Sequence, residues 1–114
     1  MLETSNTITI AHPVGDVFAF LANAENDRQW RGGVIEMTRT CGQGVGTTYR
    51  QIVAGPGGRR IYADVEITEF VTDQRIAFRT KGPVRPTRSS ELRPGDDGTV
   101  VTFRLAAKLG ASRS

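Results

Sequence analysis

From residue 34 to residue 109 the chain reads as six β-strands, and none of the connections between them is long enough for a crossover. Parallel neighbours need a connection of about a dozen residues or more, usually a helix, whereas antiparallel neighbours need only a tight turn. The stretch is therefore expected to be an antiparallel meander. Its strands are Val34 to Thr40, Thr47 to Ala54, Arg59 to Phe70, Gln74 to Lys81, Thr87 to Arg93 and Thr99 to Leu109. Turn residues separate them: the glycines at 42, 44 and 46, Gly55-Pro56-Gly57-Gly58, Thr72-Asp73, Gly82 to Pro86, and Pro94-Gly95-Asp96-Asp97-Gly98. Alternation puts Ile61, Ala63, Val65 and Ile67 on one face of the long strand. Ile76 and Phe78 share a face of the next, and Val101, Phe103 and Leu105 share a face of the last. Gly110 to Ser114 reads as a frayed end.

Ahead of the meander, Thr4 to Ala11 alternates and is rich in β-branched residues, a first strand that His12-Pro13 stops. Pro13 suits a first helical turn, where its missing N–H costs nothing. Val14, Val17, Phe18, Leu21 and Ala22 then recur at helical spacing, with Asp16 near the N-terminus and Asn23 at the end. Glu25 to Trp30 reads as a second short helical turn, closed by Gly32-Gly33. The order β-α-α followed by six strands is an α+β pattern in which both helices must pack on one face or end of a single sheet.

The 114 residues suffice for one core, so a single domain over 1–114 is expected. The net charge of +3 is uneven: residues 1–57 carry four Arg against five acids, and residues 58–114 carry nine Arg and two Lys against seven acids. The basic residues of the second half mostly alternate with apolar ones, as on the solvent face of a half-buried sheet. With no helix-turn-helix, zinc knuckle or aromatic RNA-binding motif, nucleic acid is not an expected partner. No apolar run reaches the length of a membrane span, and MLETSNTITI lacks the basic and apolar regions of a signal peptide. Cys41 is the lone cysteine, so an intramolecular disulfide is impossible and a reducing cytoplasm is the expected location. The preference for Arg over Lys points to a GC-rich bacterial source.

The entry TITIAHPVGDVFAFLANAENDRQW, the following GGVIEMTRTCGQGVGTTYRQ, the strand RIYADVEITEFVTDQRIAFRT and the late hairpin ELRPGDDGTVVTFRL come in a familiar order and spacing. Over residues 5–107 the chain resembles the START-like (SRPBCC) superfamily, and in particular its small polyketide cyclase/dehydrase-like members. That resemblance implies a helix-grip fold: a curved antiparallel sheet holding a small apolar molecule, a lipid or an aromatic, with no cofactor. The family pattern ends in a long C-terminal helix across the sheet, for which the residues after the last strand leave no room. A face lined by Val65, Ile67, Ile76, Phe78, Val101, Phe103 and Leu105 is then expected to be partly open, at about 1.5–3 kcal/mol forgone for each large side chain left wet. A C-terminally truncated domain, a homodimer covering that face and marginal stability are the alternatives.

Each candidate group has a plain structural reading beside a functional one. Tyr49, Gln51 and Val53 share a strand face and would join Val65, Ile67, Ile76, Phe78, Val101 and Phe103 along the sheet, with Phe18, Leu21 and Trp30 from the helical part. These form either a hydrophobic core or a cavity wall, and Tyr49, Gln51, Thr80, Ser90 and Arg88 would be its orienting polar groups. His12 reads as a surface residue at the helix entry, and one His with one Cys makes no zinc site. Cys41 has no neighbouring His to activate it. The glycines of GQGVG lack a P-loop ending and precede a strand, so they read as turn formers. Asp64 and Glu66 share a face opposite Val65 and are expected to point to water. The register of 87–93 leaves open whether Arg88 or Glu91 faces inward.

Three functions follow. The leading one is a module binding a small hydrophobic or aromatic molecule. The second is a polyketide cyclase/dehydrase-like enzyme working by acid/base catalysis, in which Tyr49 and Arg88 are the candidate catalytic groups and Arg88 would steady an enolate oxygen. The third is a protein-interaction module docking through the open sheet face.

Overall fold

The computed structural model describes residues 2–81 and 85–107. Strand β1 (Leu2–Ile10) leads into helix α1 (Val14–Ala22) and a 3-10 turn, Ala24–Gln29. There follow β2 (Val34–Cys41), β3 (Thr48–Ala54), β4 (Arg60–Tyr62), β5 (Val65–Val71), β6 (Arg75–Thr80), β7 (Thr87–Gly95) and β8 (Gly98–Ala107). One antiparallel sheet runs β1-β8-β7-β6-β5-β3-β2, with β4 paired to β3. The expected α+β helix-grip architecture and the meander are both present. The expected turn at 82–86 and frayed end at 110–114 fall wholly or largely outside the described residues.

Two details of the helical part depart from expectation. Pro13 sits at the N-cap in extended conformation rather than inside the first turn, and its carbonyl accepts from the Asp16 and Val17 amides. The second helical segment is a 3-10 turn, entered through the Asn23 side chain, which accepts from the Glu25 amide at 3.1 Å.

The long strand expected from Arg59 to Phe70 is broken. Between β4 and β5 the Gln51 side chain donates to the Ala63 carbonyl at 2.8 Å, while the Ala63 amide donates to the Gln51 carbonyl at 2.9 Å. Asp64 turns away to accept from the Lys81 amide. The break separates Ile61, which is exposed, from Val65 and Ile67, which are buried. The register with β3 is the same on both sides of the break, Tyr62 pairing with Ile52 and Val65 with Tyr49, so the facing expected from alternation is kept and only the continuity of the strand is lost.

The sheet grips α1 against β6, β7 and β8, and β2 carries the 3-10 turn. Val17, Phe18, Leu21 and Ala24 from the helical side meet Val65, Ile67, Ile76, Phe78 and Val101 from the sheet. Those five sheet residues are each 3% exposed or less, so the face expected to lie open is covered for most of its width. The bare strip lies instead toward the β1–β8 edge, where Ile8 and Leu105 are exposed and Phe103 is half-buried. Two short helical segments are wide enough to shield the middle of the sheet and too short to reach that edge. Gly98 locks β8 beneath the end of β1: at φ +137, a Cβ there would lie 2.1 Å from the Ile10 carbonyl oxygen.

A two-part candidate ligand site under the grip

Alternation along the sheet places Ile8 and Ile10 of β1 and Phe103 of β8 on the inner face, and helical spacing aims Val17 and Leu21 at them. Between them lies a cleft of about 470 Å3, lined also by Phe20, Trp30, His12 and Asp16. Trp30 is 43% exposed, an unusual state for the largest apolar side chain of a small domain. Its ring lies 5.6 Å from that of Phe103, tilted by 35°. Beyond this pair a second recess of about 330 Å3 opens over Asn6, Arg31, Phe78, Arg88 and Ser90, and Trp30 and Phe103 line both.

The second recess has a charged floor. Asp27, in the 3-10 turn, is 1% exposed, and its Oδ2 accepts from Arg31 Nη1 at 2.8 Å and from Arg88 Nη2 at 2.5 Å. Arg31 Nη1 also donates to Gln51 Oε1 at 3.0 Å. Arg88 lies over the Phe78 ring, 4.3 Å from its centroid. Burial pulls the Arg88 guanidinium below its ordinary range, the Asp27 carboxylate opposes that, and Arg31 adds to it. Arginine remains charged through such a shift. Asp27 Oδ1 is buried with no hydrogen-bond partner among the described residues.

The residues singled out in sequence are thus divided. Leu21, Trp30 and Phe103 line the cleft, and Phe78, Arg88 and Ser90 line the recess. Phe18, Val65, Ile67, Ile76 and Val101 pack in the core. Tyr49 is 3% exposed against Phe78, with ring centroids 6.4 Å apart, and burial pushes its hydroxyl above the ordinary tyrosine range, so it stays protonated at neutral pH. Gln51 is buried in the network that holds Arg31 and Ala63. Thr80 is half-buried at the end of β6. The open register of β7 is settled: Phe78 pairs with Arg88 and Arg75 with Glu91, so Arg88 faces inward while Glu91 meets Arg75 and Arg104 on the opposite face. Glu66 also lies on that outer face, bonded to Arg79. His12 is exposed at the rim of the cleft, and its carbonyl accepts from Thr99 Oγ1.

Asp27 and Arg31 were not candidates from sequence. Their i, i+4 spacing inside a helical turn is the one local signal that could have paired them. Arg88 comes from 61 residues away and carries no such signal. Among the described residues, no group of three His, Cys, Asp or Glu side chains could hold a metal ion, and no helix is long and apolar enough to cross a membrane.

Comparison with known proteins agrees with the architecture. The family described as polyketide cyclase / dehydrase and lipid transport matches residues 1–113. None of the curated proteins matches the chain. Among solved structures, TTHA0849 from Thermus thermophilus superposes with a TM-score of 0.80 at 19% identity, over 96% of this chain and 76% of that one. DR_A0006 from Deinococcus radiodurans gives 0.78 at 17% identity, over 95% and 83%. The di-domain ARO/CYC StfQ from the steffimycin biosynthetic pathway gives 0.78 at 13% identity, over 95% of this chain and 37% of that one. At these identities the likeness is one of fold.

Proposed function

The chain belongs to the polyketide cyclase / dehydrase and lipid transport family, and from that premise we propose that it binds a small hydrophobic or aromatic molecule between α1 and the β1–β8 edge of its sheet. The observation that carries this reading is the half-exposed Trp30 beside an apolar cleft of about 470 Å3. Ligand sites are concave and mostly apolar, with a few polar groups for orientation. Ile8, Phe20, Leu21 and Phe103 supply the apolar wall. The polar groups of the adjoining recess, Arg31, Arg88 and Ser90, supply orientation.

Because Trp30 is the chain's only tryptophan, it reports on the cleft without interference. Titration with the uncharged dye N-phenyl-1-naphthylamine is expected to quench Trp30 saturably at one dye per chain and to raise the melting temperature. Phe20→Ser, which alters a side chain 37% exposed, is expected to weaken dye binding several-fold while leaving the fold intact. A folded protein whose tryptophan emission does not respond to the dye would remove the reading.

Cyclase or dehydrase chemistry is the second reading, and the inward, desolvated Arg88 is the observation that favours it. A guanidinium fixed by Asp27 at the floor of a recess is suited to steadying an enolate oxygen. Tyr49 is less well suited as the acid/base partner, since it is packed in the core. Turnover of a model β-polyketone that is lost in Arg88→Gln, with dye binding retained, is the outcome this reading requires.

A further inference from the structure

Two guanidinium groups converge on one carboxylate oxygen at the floor of the recess. The cluster of Asp27, Arg31 and Arg88 therefore carries one uncompensated positive charge. Its carboxylate is 1% exposed, and the side chains of the two arginines are only 28% and 20% exposed. A surplus charge that is only partly hydrated costs free energy, and an anion that meets it offsets that cost. Asp27 is the carboxylate that acts on Arg88, and Arg31 acts on it unfavourably.

The surplus is also directed. Both arginines line the recess, and so do Trp30 and Phe103, which line the apolar cleft as well. One molecule can thus lay an apolar body against Ile8, Phe20 and Leu21, pass the Trp30–Phe103 pair, and set a charged end on the guanidinium groups. Each guanidinium has five N–H donors in a planar fork, a shape that matches the two oxygens of a carboxylate. Arg88 Nη2 is engaged by Asp27, and Arg31 Nη1 by Asp27 and Gln51. The Ser90 hydroxyl and the exposed Asn6 amide stand beside them as further hydrogen-bonding groups.

Building on the binding reading above, we infer that the natural ligand is an amphipathic monoanion, an apolar or aromatic body ending in a carboxylate or an equivalent anionic oxygen pair, whose charge is taken by Arg31 and Arg88. A neutral lipid or hydrocarbon fills the cleft and leaves the surplus charge unmet.

The test compares 1-naphthylacetate with 1-naphthylacetamide, which share ring and size and differ in charge, by isothermal titration calorimetry. The acetate is expected to bind about ten-fold more tightly, the equivalent of roughly one charge-assisted hydrogen bond. Arg31→Gln and, separately, Arg88→Gln neutralise the cluster, and each is expected to bring the ratio of the two affinities close to one. Arg60→Gln, on the exposed β4, removes the same formal charge from the chain and is expected to keep the wild-type ratio. Equal affinities in the wild type, or a ratio that survives both cluster variants, overturn the inference while leaving the cleft as a ligand site. If neither compound binds while the dye still does, the inference is overturned and the cleft stands as a ligand site; if the dye fails as well, the binding reading itself falls. Should Arg88→Gln fail to fold, the wild-type ratio and the more exposed Arg31 still decide the matter.

Discussion

Replacing Asp27 by alanine removes the one carboxylate that joins the 3-10 turn to β7. The variant loses two charge-assisted hydrogen bonds, to Arg31 and Arg88, and leaves both guanidinium groups beneath the grip without a counter-charge. Breaking a wholly buried pair by removing one partner costs about 3–5 kcal/mol. Here the carboxylate is 1% exposed, but the arginine side chains are 20% and 28% exposed, so water can reach them and reduce the cost. We expect a loss of about 2–4 kcal/mol, a large part of the roughly 5–15 kcal/mol that holds a domain together. Among the described residues Asp27 Oδ1 has no partner to lose, which keeps the value below that of a fully bonded carboxylate. With a urea dependence of about 2 kcal/mol per molar, the middle of the usual range, the unfolding midpoint should fall by about 1–2 M. The Asp27→Ala/Arg88→Met double variant should recover part of the loss, since it removes a stranded charge together with its partner. A fall of less than about 0.5 M in Asp27→Ala, or purely additive effects in the cycle, would refute the claim that this cluster anchors the turn to the sheet.

Two further outcomes follow from the geometry. Gly98→Ala should destabilise the chain by at least about 2 kcal/mol in denaturant titration, because the new Cβ meets the Ile10 backbone at 2.1 Å and the φ of +137 disfavours any side chain; Gly44→Ala, at φ +66 with open space around it, should cost about 1 kcal/mol. Tyr49 gives a pH dependence: its folded pKa lies above the ordinary value of 10.0, so its contribution is complete below pH 10 and is lost as the pH rises through the folded value. Stability measured between pH 9 and pH 11 should therefore fall less in Tyr49→Phe than in the wild type, and an identical fall in both would exclude Tyr49 as the cause.

How much of this was legible in the chain depends on the range of the interaction. Strand and helix identities are local, written in alternation, in the spacing of Val14, Val17, Phe18 and Leu21, and in the glycines between strands. They came through with ends displaced by a few residues. The facing of Val65, Ile76, Phe78 and Val101 followed from the same periodicity. It holds even at Ile61, which pairs with Val53 in the same register that joins Val65 to Tyr49; what periodicity does not reveal is that Ile61 stays exposed.

The sequence by itself therefore determined the element order, the antiparallel meander and the identity of most of the core, because each rests on a residue and its near neighbours. Tertiary structure alone decided which way β7 faces. Its residues Thr87 to Glu91 are polar on both faces, so only pairing with β6 and β8 fixes the register. It also decided where the sheet stays bare, since that depends on how far two short helical segments reach across it. Above all it brought Arg88 to Asp27 across 61 residues of chain. Two charges that meet through folding carry no periodic signature, and their energy comes from the dry, confined site that the rest of the chain builds around them.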